Sequence, residues 1–174
     1  TNNQQPTTNN QQPTTNNQQQ KTVILRLKHF VFTVLGIIFR HPVTGTTIVP
    51  VLPDNRIVLI RRQDTGKWGL PGGMIDWGED IPMTVKRELA EETGLKLRHL
   101  GRLVGVYSAG DRDPRLHSIS ILVEAFVEGV PHIVDSIEIL EIQAFERQDL
   151  PLGDLSHDND RQIKDYLEGL TTIA

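Results

Sequence analysis

The feature that most constrains this chain is a group of three glutamates, Glu88, Glu91 and Glu92, in a segment predicted to be helical from Ile81 to Thr93. An α-helix advances about 100° per residue, so side chains at i, i+3 and i+4 project from one narrow face. The spacing therefore predicts a helix with converging carboxylates. Like charges this close repel each other and lower helix stability, unless a cation lies among them or some of them bind protons.

The residues around the glutamates favour a binding site over an ordinary solvated helix face. Four apolar residues are predicted to pack into a core while the acids face outward: Met83, Val85, Leu89 and Ala90. Gly94 is a helix stop signal, because glycine readily takes the left-handed conformation at the C-terminal cap. Ahead of the helix, residues 70–73 form a loop whose two glycines allow backbone to approach a phosphate closely.

The chemistry of the cluster points to a hard divalent cation. Carboxylate oxygens suit Mg²⁺ or Mn²⁺, which retain several waters and accept phosphate oxygens from a substrate. The chain has no Cys, and residues 73–95 contain no His, so a zinc site is disfavoured. Mg²⁺ is the expected cofactor, with Mn²⁺ as an alternative.

The spacing of residues 73–95 resembles the signature of the Nudix hydrolases. The matching positions are Gly73, Glu79, Arg87, Glu88, Leu89, Glu91, Glu92, Gly94 and Leu95. The resemblance implies metal-dependent cleavage of a nucleoside diphosphate linked to another group, in an α/β/α sandwich with a mixed sheet between helices. It also implies metal binding by Gly73, Glu88, Glu91 and Glu92, catalysis by Glu91 and Glu92, and an Arg87 that orients the glutamates. Glu79 would close the loop-helix-loop.

Length and composition are compatible with one catalytic domain. The chain has 174 residues and a net charge of −4. That charge gives no basic stripe for nucleic-acid backbones, so nucleic-acid binding is not expected. The absence of Cys excludes disulfides and thiol catalysis and is compatible with a cytoplasmic location.

Three regions are expected along the chain. Residues 1–20 repeat a polar Asn/Gln-rich heptad and are predicted to be disordered. Residues 21–44 form an apolar segment that is too short to span a membrane. This segment either packs on the domain or on a second subunit in a homodimer, or lies on a membrane surface, and packing is preferred. The catalytic domain is expected over residues 45–170.

The elements of that domain follow from turn signals and β-rich runs. Strands are predicted at 46–52 and 56–62 around a turn at 53–55, and at 97–107 with a bend near Gly101 or Gly105. Further strands are predicted at 118–127 and 142–145, and a helix at 158–167.

The segment from Tyr107 to Ser120 is the best indication of the substrate. It is similar to the Arg-Asp-Pro-Arg-x-His segment of ADP-ribose pyrophosphatase members of the family, which implies that Arg112 and Arg115 clamp phosphate or ribose. Arg61 and Arg62 are further candidates for phosphate binding. An ordinary solvated loop or strand edge with self-paired charges is the alternative for these arginines.

The general base is left open between a glutamate of residues 73–95 and a carboxylate outside them. By resemblance, Glu138 is the first outside candidate and Glu141 the second, with Glu124 and Glu128 less favoured. The expected reaction is hydrolysis of ADP-ribose to AMP and ribose 5-phosphate. Two alternatives remain: a pyrophosphatase for nucleoside triphosphates or other nucleotide sugars, and a non-catalytic sensor of ADP-ribose.

Overall fold

A computed structural model describes residues 41–112 and 117–174 of the chain. The predicted disordered tail at 1–20, most of the apolar segment at 21–44, and Arg115 therefore lie outside the described residues. Within the two described ranges, no helix has the length and apolar character needed to cross a bilayer.

A seven-stranded mixed sheet forms the centre of the described domain, in the order β3-β2-β1-β5-β4-β7, with β6 paired to β2. The β1–β5 and β4–β7 pairs are parallel and the other pairs are antiparallel. The strands are β1 (Val43–Val51), β2 (Ile57–Arg62), β3 (Trp68–Gly69), β4 (Lys96–Tyr107), β5 (Ser118–Glu128), β6 (Ile139–Phe145) and β7 (Thr172–Ile173).

Successive strand residues point to opposite faces of the sheet, so each face has its own set of buried apolar residues. In the described part of the chain, one helix packs against each face. Helix α1 (Ile81–Glu88) buries Val85 against one face. Helix α2 (Asn159–Leu167) buries Ile163 and Tyr166 against the other. The predicted α/β/α sandwich with a mixed sheet is confirmed.

The acidic helix begins and ends as the sequence predicts, but its second half changes geometry. The Asp80 side chain caps the start by accepting a hydrogen bond from the Met83 N–H at 2.9 Å. After Glu88 the chain continues as a π-helical turn over Leu89–Thr93 and stops at Gly94, whose φ is 66°. A π turn takes more residues per turn than an α turn, so side chains along it are rotated from their α-helical directions.

The prediction of which helix residues face the core is partly wrong. Val85 and Leu89 are fully buried as expected, whereas Met83 is 53% exposed and Ala90 is also exposed. The expectation that the acids face outward fails for Glu88 and Glu92, which are 8% and 5% exposed. The physical reason is that the loop ahead of the helix folds back over these two glutamates.

Most other predicted elements are present with shifted ends. The β1–β2 hairpin turns at residues 53–55, and the pairing of β4 with β5 shifts register on both sides of Leu103, near the two glycines where a bend is predicted. Strand β6 begins at Ile139, three residues before the predicted start, and strands β3 and β7 are not predicted from the sequence. Two-residue strands lack the alternation that identifies longer ones.

A matched pair of leucines tests the location of the core. Leu122 on β5 is fully buried, whereas Leu103 on β4 is 47% exposed. We expect Leu122→Ala to lower the free energy of unfolding by about 2–5 kcal/mol, because it leaves a cavity. Leu103→Ala is expected to change it by no more than about 0.5 kcal/mol. Urea unfolding of both variants gives the comparison, and equal losses would contradict the assigned core.

Candidate active site

The glycine loop, residues 70–74, lies along the edge of β1. Strands β1 and β2 pair only at Val51 and Ile57, so the preceding part of β1 is separated from β2. The loop occupies this gap: the Thr46 N–H donates to the Gly73 carbonyl at 2.8 Å, and the Ile48 N–H donates to the Pro71 carbonyl at 2.9 Å. The loop backbone is therefore fixed to the central sheet.

The two glycines of this loop are required by close approach. A Cβ at Gly72, whose φ is 147°, would lie 2.2 Å from the Thr46 carbonyl oxygen, and one at Gly73 would lie 2.1 Å from Oε1 of Glu88. The Gly72 N–H also donates to Oε2 of Glu92 at 2.7 Å. The loop thus holds both buried glutamates directly against its backbone.

Arg87 connects the acids of the helix to the acids of the loop. Its Nε and Nη2 donate to the two carboxylate oxygens of Glu79, each at 2.9 Å. Its Nη1 donates to Glu88 at 2.7 Å and to Glu91 at 3.2 Å, and Nη2 also donates to the Met74 carbonyl at 2.9 Å. This fork of charge-assisted bonds holds the guanidinium between the loop carboxylate and the helix carboxylates.

The pKa values of the glutamates around Arg87 are shifted in opposite directions. Hydrogen bonding from Arg87 lowers the pKa of Glu79 to about 2, and the bond to Glu79 raises the pKa of Arg87. Burial raises the pKa of Glu92 to about 8, against the hydrogen bond from Gly72, and the charge of Glu88 adds to the rise. Burial likewise raises the pKa of Glu88. Positive charge therefore compensates the buried pair only in part, through Arg87 at Glu88 and Arg62 near Glu92.

Glu91 is separated from the other two helix glutamates. Its side chain is 59% exposed and bonds to Arg87, because the π turn keeps Glu92 above Glu88 and rotates Glu91 away. Among the residues that the structure describes, no three His, Asp or Glu side chains are already gathered closely enough to hold an ion together. The predicted convergence of the three carboxylates is therefore incomplete: Glu91 shares the Arg87 Nη1 donor with Glu88 but is not buried with Glu88 and Glu92.

The donor set nevertheless fits a hard divalent cation. Glu88 and Glu92 are carboxylates whose pKa values are raised mainly by burial, and oxygen ligands of this kind suit Mg²⁺ or Mn²⁺. The exposed Glu91 side chain can rotate away from Arg87, since little packs against it.

The structure separates the two outside candidates for a general base. The charge of Glu138 contributes to the raised pKa values of Glu88 and Glu92, and its backbone is held by the Gln63 N–H at 2.8 Å. Glu141 instead lies 3.4 Å from Arg61. Glu124 accepts a bond from Tyr166, and Glu128 lies 3.6 Å from Arg98.

A cleft of about 180 Å³ opens beside the glycine loop. It is lined by Val43, Gly45, Thr46, Thr47, Arg62, Leu70, Gly72, Gly73, Met74, Arg112, Ser118, Ile119, Ser120, His157, Asp158 and Asn159. The cleft therefore extends from the loop and the start of β1 to the start of α2.

The predicted substrate-binding arginines have different surroundings. Arg62 lines the cleft and its charge acts on Glu92. Arg61 does not line it, and its Nε donates to the Gly66 carbonyl at 2.9 Å. Arg112 lines the cleft, but its guanidinium binds both carboxylate oxygens of Asp158 at 2.8 and 2.9 Å and also donates to Ser118. While these bonds last, Arg112 is not available to clamp a phosphate.

Sequence reasoning missed the contribution of residues 156–159. Asn159 accepts a hydrogen bond from the Leu70 N–H at 2.8 Å, and Ser156 donates to the Trp68 carbonyl at 3.1 Å. These bonds fix the start of α2 beside the glycine loop. The only local signal was the helix start itself, which does not reveal that it lies near residue 70.

Comparison of the sequence with known proteins identifies the family of this chain. The family model NUDIX domain matches residues 41–166. The ADP-ribose pyrophosphatase of Methanocaldococcus jannaschii is 37% identical over 133 residues, which cover 75% of this chain and 76% of that protein. The oxidized purine nucleoside triphosphate hydrolase of Mus musculus is 30% identical, over 65% of this chain and 72% of that protein.

A solved structure leads to the same family. The MutT NUDIX hydrolase from Burkholderia pseudomallei has a TM-score of 0.64 and 31% identity, over 72% of this chain and 98% of that one. Since the family model covers most of the chain and the fold agrees, this chain belongs to the Nudix family of hydrolases, which act on a pyrophosphate bond.

Proposed function

We propose that this Nudix hydrolase cleaves ADP-ribose to AMP and ribose 5-phosphate and uses Mg²⁺, with Mn²⁺ as a substitute. The observation that carries the proposal is the burial of Glu88 and Glu92 against the glycine loop, which lines a cleft. The choice of ADP-ribose is supported by the M. jannaschii relative, which carries that activity in its name and covers 75% of this chain.

The groups that would hold the metal are the Gly73 carbonyl and the carboxylates of Glu88, Glu91 and Glu92. When bound, a divalent cation supplies Lewis-acid neutralisation of the diphosphate charge and makes water more acidic. Glu91 has to leave Arg87 to join the set, which costs little because its side chain is 59% exposed.

The remaining roles are assigned to residues of the chain itself. Arg87 is catalytic through positioning: its bond at 2.7 Å holds the Glu88 carboxylate in one orientation. Arg62 lines the cleft with the glycine loop and would bind a phosphate oxygen on leaving Asp64, which accepts two bonds from its guanidinium at 3.0 Å. Glu138 accepts the proton from the attacking water. It is close enough to Glu88 and Glu92 for its charge to raise their pKa values.

A nucleoside triphosphate is the second candidate substrate. The mouse relative named oxidized purine nucleoside triphosphate hydrolase covers 65% of this chain and favours it. The two reactions release different products, because a triphosphate gives a nucleoside monophosphate and inorganic pyrophosphate.

Glu92→Gln tests the catalytic assignment. We expect kcat to fall about 100-fold or more, while Tm in the absence of metal is unchanged or higher, because a neutral amide replaces a buried acid with a raised pKa. Glu128→Gln is the matched control, since that side chain is 56% exposed and bonds to Arg98. Addition of millimolar Mg²⁺ should raise Tm in the wild type and control more than in Glu92→Gln. Unchanged kcat in Glu92→Gln would contradict the assignment.

A product assay tests the substrate. Purified protein is offered ADP-ribose, other nucleotide sugars and nucleoside triphosphates with Mg²⁺, and products are resolved by chromatography. We expect the highest kcat/KM for ADP-ribose, with AMP and ribose 5-phosphate as products. Higher kcat/KM for a triphosphate would replace the substrate and leave the family membership intact.

The pairing of Glu79 with Arg87 predicts an acid-dependent loss of stability. The folded-state pKa of Glu79 is about 2, below the usual 4.5, so its contribution is present above pH 4.5 and is lost as pH falls toward 2. We expect Glu79→Gln to have a lower Tm than the wild type at neutral pH, and the difference to shrink across this window. Asp76→Asn is the control, because Asp76 lies 3.9 Å from Arg87 and its side chain is 70% exposed. A Tm difference for Glu79→Gln that is constant with pH would count against the pairing.

A further inference from the structure

His157 has a backbone conformation that side chains rarely adopt. Its φ is 52°, and Asn55 is the other non-glycine residue with positive φ among those that the structure describes. The Asn159 N–H donates to the Ser156 carbonyl at 3.1 Å, so His157 is the second residue of a four-residue turn. Asp158 follows with φ −95° and ψ 14°. Positive φ followed by negative φ matches a type II′ turn, whose second position favours glycine.

His157 lies at the boundary of two clefts. His157 lines the cleft beside the glycine loop, and it also lines a second cleft of about 310 Å³ with Tyr107, Asp111 and Arg161. The half-buried side chain of His157 therefore lies in the wall that the two clefts share.

Both residues after His157 are fixed by hydrogen bonds. Asp158 accepts two bonds from Arg112 and one from the Gln162 side chain at 3.1 Å, while Asn159 accepts the Leu70 N–H. The turn is thus rigid at its exit into α2. A strained residue persists only where its surroundings hold it, and such residues cluster at ligand sites.

We propose that His157 is a substrate-binding residue that contacts the group attached to the pyrophosphate. The glycine loop and Arg62 are the candidate phosphate-binding groups in the lining of the first cleft, and His157, in the turn before α2, lines the same cleft. A nucleoside or sugar joined to those phosphates would occupy the rest of this cleft, where the imidazole offers a flat face for stacking. This inference rests on the proposed function and specifies which side chain recognises its substrate.

The test compares glycine substitutions at His157 and Asn55, the two non-glycine residues with positive φ in the described part of the chain. His157→Gly relieves the strained conformation, so we expect an unchanged or higher Tm together with a KM for ADP-ribose that rises about tenfold or more at nearly constant kcat. Asn55→Gly is the matched control, because Asn55 has φ 70° in the β1–β2 turn and lines neither cleft. We expect it to leave KM unchanged. His157→Asn, which also tolerates positive φ but lacks the ring, should raise KM as His157→Gly does.

The outcomes separate this inference from the proposed function. KM within about twofold of the wild type in both His157 variants would overturn the inference. A rise in KM that occurs only with a large loss of Tm, and that His157→Asn restores, would assign His157 a structural role and also overturn it. Failure of the wild type to hydrolyse ADP-ribose would overturn the proposed substrate instead. The KM comparison is then made with the nucleotide that the wild type does hydrolyse, where the same criteria apply.

Discussion

The close contact between the glycine loop and the acidic helix is the constraint on which the site depends. Gly72 and Gly73 present bare backbone to Glu92 and Glu88, and a methyl group at either position would overlap neighbouring atoms. The loop cannot move away easily, because it is hydrogen-bonded to the edge of β1. Two carboxylates are therefore buried where positive charge is scarce.

The cost of that burial explains the roles of the surrounding charges. A buried carboxylate is destabilised unless it is protonated, paired or bound to a cation. Arg87 partly compensates Glu88, while Glu92 keeps a pKa raised to about 8 with one backbone N–H as its close partner. Glu79 in turn fixes the guanidinium by two parallel bonds. The arrangement is stable enough to fold and electrostatically incomplete, as expected of a site that receives a cation.

The start of α2 lies beside the glycine loop and lines the same cleft. Asn159 is hydrogen-bonded to Leu70 across 89 residues of sequence, and the Arg112–Asp158 pair joins the end of β4 to the same turn. The cleft is therefore assembled from segments that are far apart in the chain, and His157 precedes two residues that are held by hydrogen bonds.

The sequence by itself determined the helix, its cap and stop residues, the identity of the acids and the alternation of most strands, because these features depend on local periodicity and turn chemistry. It misjudged Ala90, which lies in a π turn where an α-helix was assumed, and Met83, which lies about 200° around α1 from the buried Val85. Only the tertiary structure decided that Glu88 and Glu92 are buried while Glu91 is not, and that Arg112 is bonded to Asp158 rather than exposed. The reason is physical: burial and pairing arise from contacts between segments distant in the chain, which no local pattern specifies.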